Sequence, residues 1–192
     1  MTPTAPAAAA RPARERLVRA AQELHAEQGV DATTPREVLE RSGVGQGSLY
    51  HHFPSKLDLA RAALRRTAEE SLDAARGALA GGGSATGRLR AYLGTPRDAI
   101  AGCAVGRQTS DPVVMADGEL HDTLAEYFTG LLDLVTVALW EQGFDEVEAS
   151  DRAFTVVATV QGGYVLARAL GDDAALERAL RGARTLCGLE AS

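Results

Sequence analysis

Leu17, Ala20, Ala21 and Leu24 recur at three- and four-residue steps between Pro12 and Gln28, a spacing that predicts one helix with a single buried stripe, ending at Gly29. Thr34-Pro35-Arg36-Glu37 supplies a capping hydroxyl, a proline at the first helical position and a glutamate three residues after the cap. That combination predicts a second helix, with Val38 and Leu39 inward and Gly43 closing it. After the turn Ser42-Gly43-Val44-Gly45, Leu49 and Phe53 lie four apart on one side of a short third helix, which Pro54 stops. Ser55 with Asp58 restarts the chain as a long fourth helix, from Lys56 toward Leu79. The run Gly81-Gly82-Gly83-Ser84 cannot continue a helix. Beyond it the punctuation predicts helices over 86–93, 97–104, 105–115, 119–142, 147–170 and 173–186. No segment alternates as a strand does, so the expected fold is all-α: a three-helix helix-turn-helix domain followed by a larger helical domain. The expected division is a disordered tail at 1–11, the helix-turn-helix domain at 12–58 and the second domain at 59–192.

Composition changes this picture only through its distribution. The chain carries 26 acidic against 20 basic residues, a net charge of -6. The first 70 residues hold 10 basic and 9 acidic, leaving 10 against 17 for the rest. A near-neutral end able to approach phosphates thus precedes an acidic body that DNA repels. No stretch of about twenty uncharged apolar residues occurs, which argues against a membrane partner. The opening Met-Thr-Pro-Thr-Ala-Pro lacks the basic start and apolar centre of a signal peptide. The two cysteines, Cys103 and Cys187, have no companions at metal-ligand spacing, as expected of a reduced, cytoplasmic protein.

The third helix carries the chemistry of a reading head. With Leu49 and Phe53 inward, a step of about 100° per residue puts Gly47 and His51 on the opposite side and Ser48 and Tyr50 on the flanks. Gln46 reaches a base edge through its amide, and Gly47 leaves room for the close approach of a phosphate backbone. Ser48 and Tyr50 offer hydroxyls to phosphate oxygens, and His51 serves either a phosphate or a base. Thr33 and Thr34 at the start of the second helix, with Lys56 at the start of the fourth, sit where free backbone N–H groups attract anions. Arg36 projects from the first turn of the second helix toward the groove. Helix capping alone explains part of this set, Thr34 and Ser55 above all. Lys56 is the only lysine in the chain.

Thr34-Pro35-Arg36-Glu37-Val38, Ser42-Gly43-Val44, the run Gly47-Ser48-Leu49-Tyr50-His51-His52-Phe53 and Pro54-Ser55-Lys56-Leu57-Asp58-Leu59 together closely resemble the N-terminal domain of TetR-type transcriptional regulators. The likeness covers roughly residues 14–64. It implies a DNA-binding domain joined to a helical domain that dimerises and holds a small-molecule inducer, with Tyr50, His51, Phe53 and Lys56 at the family's contact positions. Gly102-Cys103-Ala104-Val105-Gly106 with Arg107 is similar to a segment of LmrA/YxaF-like members, although alanine stands where those have proline. This likeness implies that Cys103 lies on a helix near the pocket and that Arg107 meets an anionic or phenolic ligand; a buried structural thiol is the other reading of Cys103.

The larger side chains of an alanine-rich domain complete the expected pocket: Tyr92, Arg107, Met115, Phe128, Trp140, Phe154, Gln161 and Tyr164. The expected dimer interface pairs a small-residue face bearing Val157, Gly163 and Ala167 with one bearing Leu176, Leu180 and Ala183, as a four-helix bundle across a two-fold axis. Burial within one chain fits the same pattern. The resulting expectation is a homodimeric repressor that an inducer releases from palindromic double-stranded operator DNA, as helix four shifts the spacing of two reading heads. A ligand-independent regulator or an activator of the same fold is the alternative. Catalysis is not expected: His51-His52 with Asp58 sit beside the proline-stopped third helix, and Cys103 with His121 has no orienting group. Adjacent histidines diverge too far on a helix to share a metal, and no cofactor is expected.

Overall fold

Nine α-helices and one 3-10 turn make up the computed structural model, which describes residues 12–189, and no strand occurs among them. The helices are α1 (Ala13–Ala32), α2 (Pro35–Ser42), α3 (Gln46–His52), α4 (Lys56–Leu79), α5 (Ala85–Gly94), α6 (Pro112–Ala116), α7 (Gly118–Gln142), α8 (Glu146–Leu170) and α9 (Ala174–Leu186), with the 3-10 turn at Gly106–Ser110. The expected tail at 1–11 lies outside the described residues. Among the described residues two compact units form, one from 12–67 with Arg107–Thr123, the other from Ala68–Gly106 with 124–189. The first unit runs past residue 58 into α4 and takes in a segment from the middle of the chain.

In the first unit the predicted stripe of α1 is buried, joined by Val18 and His25. It packs with Val38, Val44, Leu49, Phe53, Leu59 and Ala63 into one core. Gly29 breaks the helical path at φ 89°, ψ 171°, a conformation that suits glycine, and three further residues follow before α1 ends. The Thr34 hydroxyl and the Glu37 carboxylate cap α2 reciprocally, and Gly43 ends it in the left-handed region. The backbone and hydroxyl of Ser55 bond Asp58 in the same way at the start of α4. From the second segment, the Asp111 carboxylate accepts from the N–H groups of Val113 and Val114 and from the N–H of Asp31. Arg61 makes a two-point contact with Asp117, at 3.1 and 2.6 Å.

In the second unit α5, α8, α9 and most of α7 enclose Leu89, Leu93, Leu131, Leu139, Val156, Val160, Leu176 and Leu180. The expected helix over 97–104 does not form, and the one over 105–115 breaks into the 3-10 turn and the five-residue α6. Gly102 stands at φ 78°, which halts a helix. Asp98 accepts from the Ala101 N–H, and the Arg168 guanidinium donates to the Ile100 and Ala101 carbonyls. Side chains thus satisfy backbone groups that a helix would have paired. Helices α7 and α8 are long and apolar enough to cross a membrane by length and composition. Leu124, Leu131, Val135 and Leu139 of α7, with Ala153, Val156 and Val160 of α8, are buried in the protein instead.

Candidate nucleic-acid interface and ligand cavity

On α3, Leu49 and Phe53 are 3% and 4% exposed, while Gln46, Gly47, Tyr50 and His51 are exposed and Ser48 is half-buried. The phasing expected from sequence therefore holds. His51 packs edge-on against His52 at 5.1 Å. A methyl group built on Gly47 would meet nothing within 4 Å, and Gly47 is not among the glycines with positive φ. Neither backbone nor packing demands glycine there.

The flanking residues divide. Thr33 is 2% exposed and its hydroxyl donates to the Gly29 carbonyl at 2.6 Å, so it is withdrawn from the surface where a phosphate grip was expected. Thr34 is exposed but committed to the α2 cap. The Thr34 bonds hold the Glu37 carboxyl below its ordinary pKa. Arg36 is exposed and bonded to Glu40 at 2.8 Å. The Lys56 ammonium donates to the Asp31 carbonyl at 2.8 Å, which places its charge beside the start of α2. Behind it, His25 is held neutral, its pKa pushed down to about 4 by burial first and by the Lys56 charge second.

A cavity of about 340 Å³ opens in the second unit. Tyr92, Cys103, Gln161 and Tyr164 line it as expected, joined by Arg97, Tyr127, Leu131 and Val160. Cys103 accepts from the Gly106 N–H at 3.2 Å and lies 3.9 Å from the Tyr127 hydroxyl. Burial raises the pKa of all three tyrosines, that of Tyr164 to about 12, so each offers a neutral O–H. Arg97 lies over the Tyr92 ring at 5.2 Å and donates to the Tyr92 and Thr95 carbonyls.

Other expected pocket residues lie elsewhere. Arg107 belongs to the first unit, where it donates to the Ala26 and Glu27 carbonyls near the end of α1. Met115 is exposed on α6, and Trp140 and Phe154 are each 61% exposed. Phe128 stands edge-on to Tyr127 without lining the cavity. Sequence reasoning missed Tyr127, although Leu120, Leu124, Tyr127 and Leu131 form a regular buried stripe on α7. It missed Arg97 because the 97–105 segment was expected to be helical.

The expected dimer residues are a correction too. Val157, Gly163 and Ala167 of α8 and Leu176, Leu180 and Ala183 of α9 are buried within one chain, where these helices pack on each other. A methyl group on Gly163 would stand 2.7 Å from Leu176 Cδ1 and 3.2 Å from Ala179 Cβ, so the missing side chain admits α9. The exposed apolar residues of α8 are Val147, Phe154, Val165, Leu166 and Leu170. No group of three or more metal-binding side chains occurs among the described residues, and both cysteines are free thiols.

Two family models match the chain. Residues 17–63 match that of the bacterial regulatory proteins of the tetR family, and residues 91–181 that of the LmrA/YxaF-like transcriptional regulator C-terminal domain. Over 143 residues, 73% of this chain and 67% of the other, it is 32% identical to the HTH-type transcriptional repressor KstR2 of Rhodococcus jostii. The fold is similar to that of reduced NemR from E. coli, with a TM-score of 0.79 at 23% identity over 91% of this chain and 96% of that one. It is similar also to a transcriptional regulator from Rhodococcus sp. Rha1, with a TM-score of 0.74 at 26% identity over 92% and 96%.

Proposed function

We propose, because the chain belongs to the TetR family of transcriptional regulators and carries an LmrA/YxaF-like C-terminal domain, that it is a homodimeric repressor released from a palindromic operator by a small molecule. Regulators of this family are not enzymes, and the reading assigns no catalytic residue. Helix α3 enters the major groove, Gln46 and His51 meet base edges, and Ser48, Tyr50, Arg36 and Lys56 meet phosphates.

Gly47 is the observation that carries the DNA reading. Glycine costs up to about 1 kcal/mol relative to alanine within a helix, and nothing inside the protein requires it at Gly47, in the first turn of α3. Exposed on α3 beside Gln46, Tyr50 and His51, Gly47 leaves room for a phosphate backbone to approach closely. Gly47→Ala is therefore expected to raise stability while weakening DNA binding. The duplex is first selected from a randomised pool, then titrated in gel shifts beside thermal melts of each variant. Unchanged DNA affinity in Gly47→Ala would remove this observation as support. In the same titrations Lys56→Ala and Tyr50→Phe weaken binding to all sequences, whereas Gln46→Ala alters base preference; equal loss on every sequence for all three would refute this division of roles.

The two-fold partner covers the face of α8 that bears Phe154 and Val165, exposed apolar residues about 20° apart around the helix. A ligand in the second-unit cavity acts by favouring one spacing of the reading heads over another, which requires unequal affinity for the two states. Its effect travels along the chain itself, since residues 102–104 line the cavity and Arg107, Gln108 and Asp111 follow in sequence, bonded to α1. The cavity in the second unit supports ligand-controlled release over a ligand-independent regulator.

A further inference from the structure

The cavity in the second unit has a chemical bias that its shape alone does not reveal. Its polar lining holds hydroxyl and amide groups able to donate, one guanidinium, Arg97, and one carboxylate, Asp98. Tyr92, Tyr127 and Tyr164 present phenol groups whose ionisation burial suppresses, and Gln161 adds an amide. Arg97 supplies the positive charge. Among the described residues it forms no salt bridge; backbone carbonyls of Tyr92, Leu93 and Thr95 accept from it. Carbonyls orient a guanidinium without cancelling its charge. Asp98 also lines the cavity, with its Oδ1 engaged by the Ala101 N–H at 2.8 Å in its own loop.

An aromatic cage of three tyrosines also suggests a cationic ligand, because ring faces attract cations. Here one of those faces is already taken: the Arg97 guanidinium carbon sits 5.2 Å from the Tyr92 centroid. Its charge also reaches the Tyr164 hydroxyl. A second cation would be repelled, whereas an anionic oxygen would gain a charge-assisted bond and phenolic donors together. Size narrows the class further, since about 340 Å³ lies at the small end of the roughly 300–1,000 Å³ range of ligand sites.

We propose that the cavity takes a small aromatic carboxylate, its ring against Leu131 and Val160 and its carboxylate directed at Arg97 and the tyrosine hydroxyls. This rests on the reading of the protein as ligand-responsive and specifies its ligand. Arg97 fills the part that the LmrA/YxaF-like resemblance implied for Arg107.

The test uses the full chain and three probes of one size: salicylate, its uncharged amide salicylamide, and benzyltrimethylammonium. Calorimetric titration is expected to show salicylate binding at least about tenfold more tightly than salicylamide, the worth of one charge-assisted hydrogen bond. Arg97→Gln should abolish that preference, and Tyr164→Phe should weaken salicylate with Arg97 intact. The comparison of probes on the unmodified protein needs no variant to fold. Equal or tighter binding of salicylamide or the ammonium probe, or no binding of salicylate at millimolar concentration, overturns the assignment. Gel shifts on the selected duplex separate the two levels. Salicylate that binds through Arg97 yet leaves DNA affinity unchanged supports the ligand class and defeats the ligand-responsive reading; release of DNA by the ammonium probe alone does the reverse.

Discussion

Removing the Asp111 carboxylate tests how the middle of the chain is held in the first unit. Its two oxygens accept three backbone N–H groups: Val113 at 3.0 Å and Val114 at 3.2 Å at the start of α6, and Asp31 at 2.9 Å near the end of α1. The residue is 8% exposed, so water replaces it poorly. Losing the cap costs about 1 kcal/mol, and an orphaned, part-buried Asp31 N–H costs roughly 1–3 kcal/mol more. Asp111→Ala is thus expected to destabilise by about 2–4 kcal/mol, which in a chain of this length lowers Tm by roughly 4–16 °C. Asp111→Asn keeps one acceptor oxygen but turns an amide N–H toward a donor, and should fall about midway. Urea unfolding followed by far-UV circular dichroism reads the loss, because the single tryptophan, Trp140, sits in the other unit and reports poorly on this one. Gly29 supplies a second check. A methyl group there would lie 2.8 Å from Asp111 Oδ2, at a φ of +89° that disfavours any side chain. Gly29→Ala should therefore cost less in the Asp111→Ala background than alone, since one of its two penalties has gone. A loss below about 0.5 kcal/mol for Asp111→Ala, the ordinary range of surface substitutions, or strict additivity with Gly29→Ala, would refute this account.

Three further outcomes are expected. His25 has its pKa held at about 4 in the fold against an ordinary 6.5, so the unfolded chain takes up the proton first as pH falls. The stability its neutrality confers is complete above about pH 6.5 and is lost progressively down to about pH 4, by about 3 kcal/mol in all. Urea midpoints across that window should show a shallower acid slope for His25→Leu than for the unmodified chain, and parallel slopes would contradict this. Gly163→Val should overpack α8 against Leu176 and Ala179 and cost about 1–3 kcal/mol in thermal unfolding; a neutral outcome would mean that the helices separate freely. Phe154→Glu alters a residue 61% exposed, so monomer stability should hold while sedimentation shows weaker self-association; an unchanged dimer would move the interface elsewhere.

Much of the reading head was legible because its signals are local. A threonine cap, a proline at the first helical position, Gly43 in the left-handed region and the Leu49–Phe53 pair each act within about one helical turn. The starts of α2, α3 and α4 fell where such signals stand. Thr33 misled because it sits beside a true cap and nothing local shows that the Gly29 carbonyl claims its hydroxyl. The pocket was half legible. Tyr92, Cys103, Gln161 and Tyr164 were expected, but Met115, Trp140 and Phe154 were chosen for size on helices whose inward face the pattern does not mark. On α8 apolar side chains stand on several sides, Val156 and Val160 inward, Phe154 and Val165 outward, so periodicity could not choose the buried face.

By itself the sequence determined the helical class, the order and most boundaries of the helices, and the face that α3 presents. Each depends on interactions between residues three or four apart, which the chain carries wherever it folds. Only the tertiary structure decided that residues 97–105 are irregular, that Arg97 and not Arg107 meets the cavity, and that the small-residue faces of α8 and α9 bury each other. The physical reason is separation along the chain. Asp111 meets Asp31 across 80 residues and Cys103 meets Tyr127 across 24, and such pairs exist only after helices have packed and closed the loops between them.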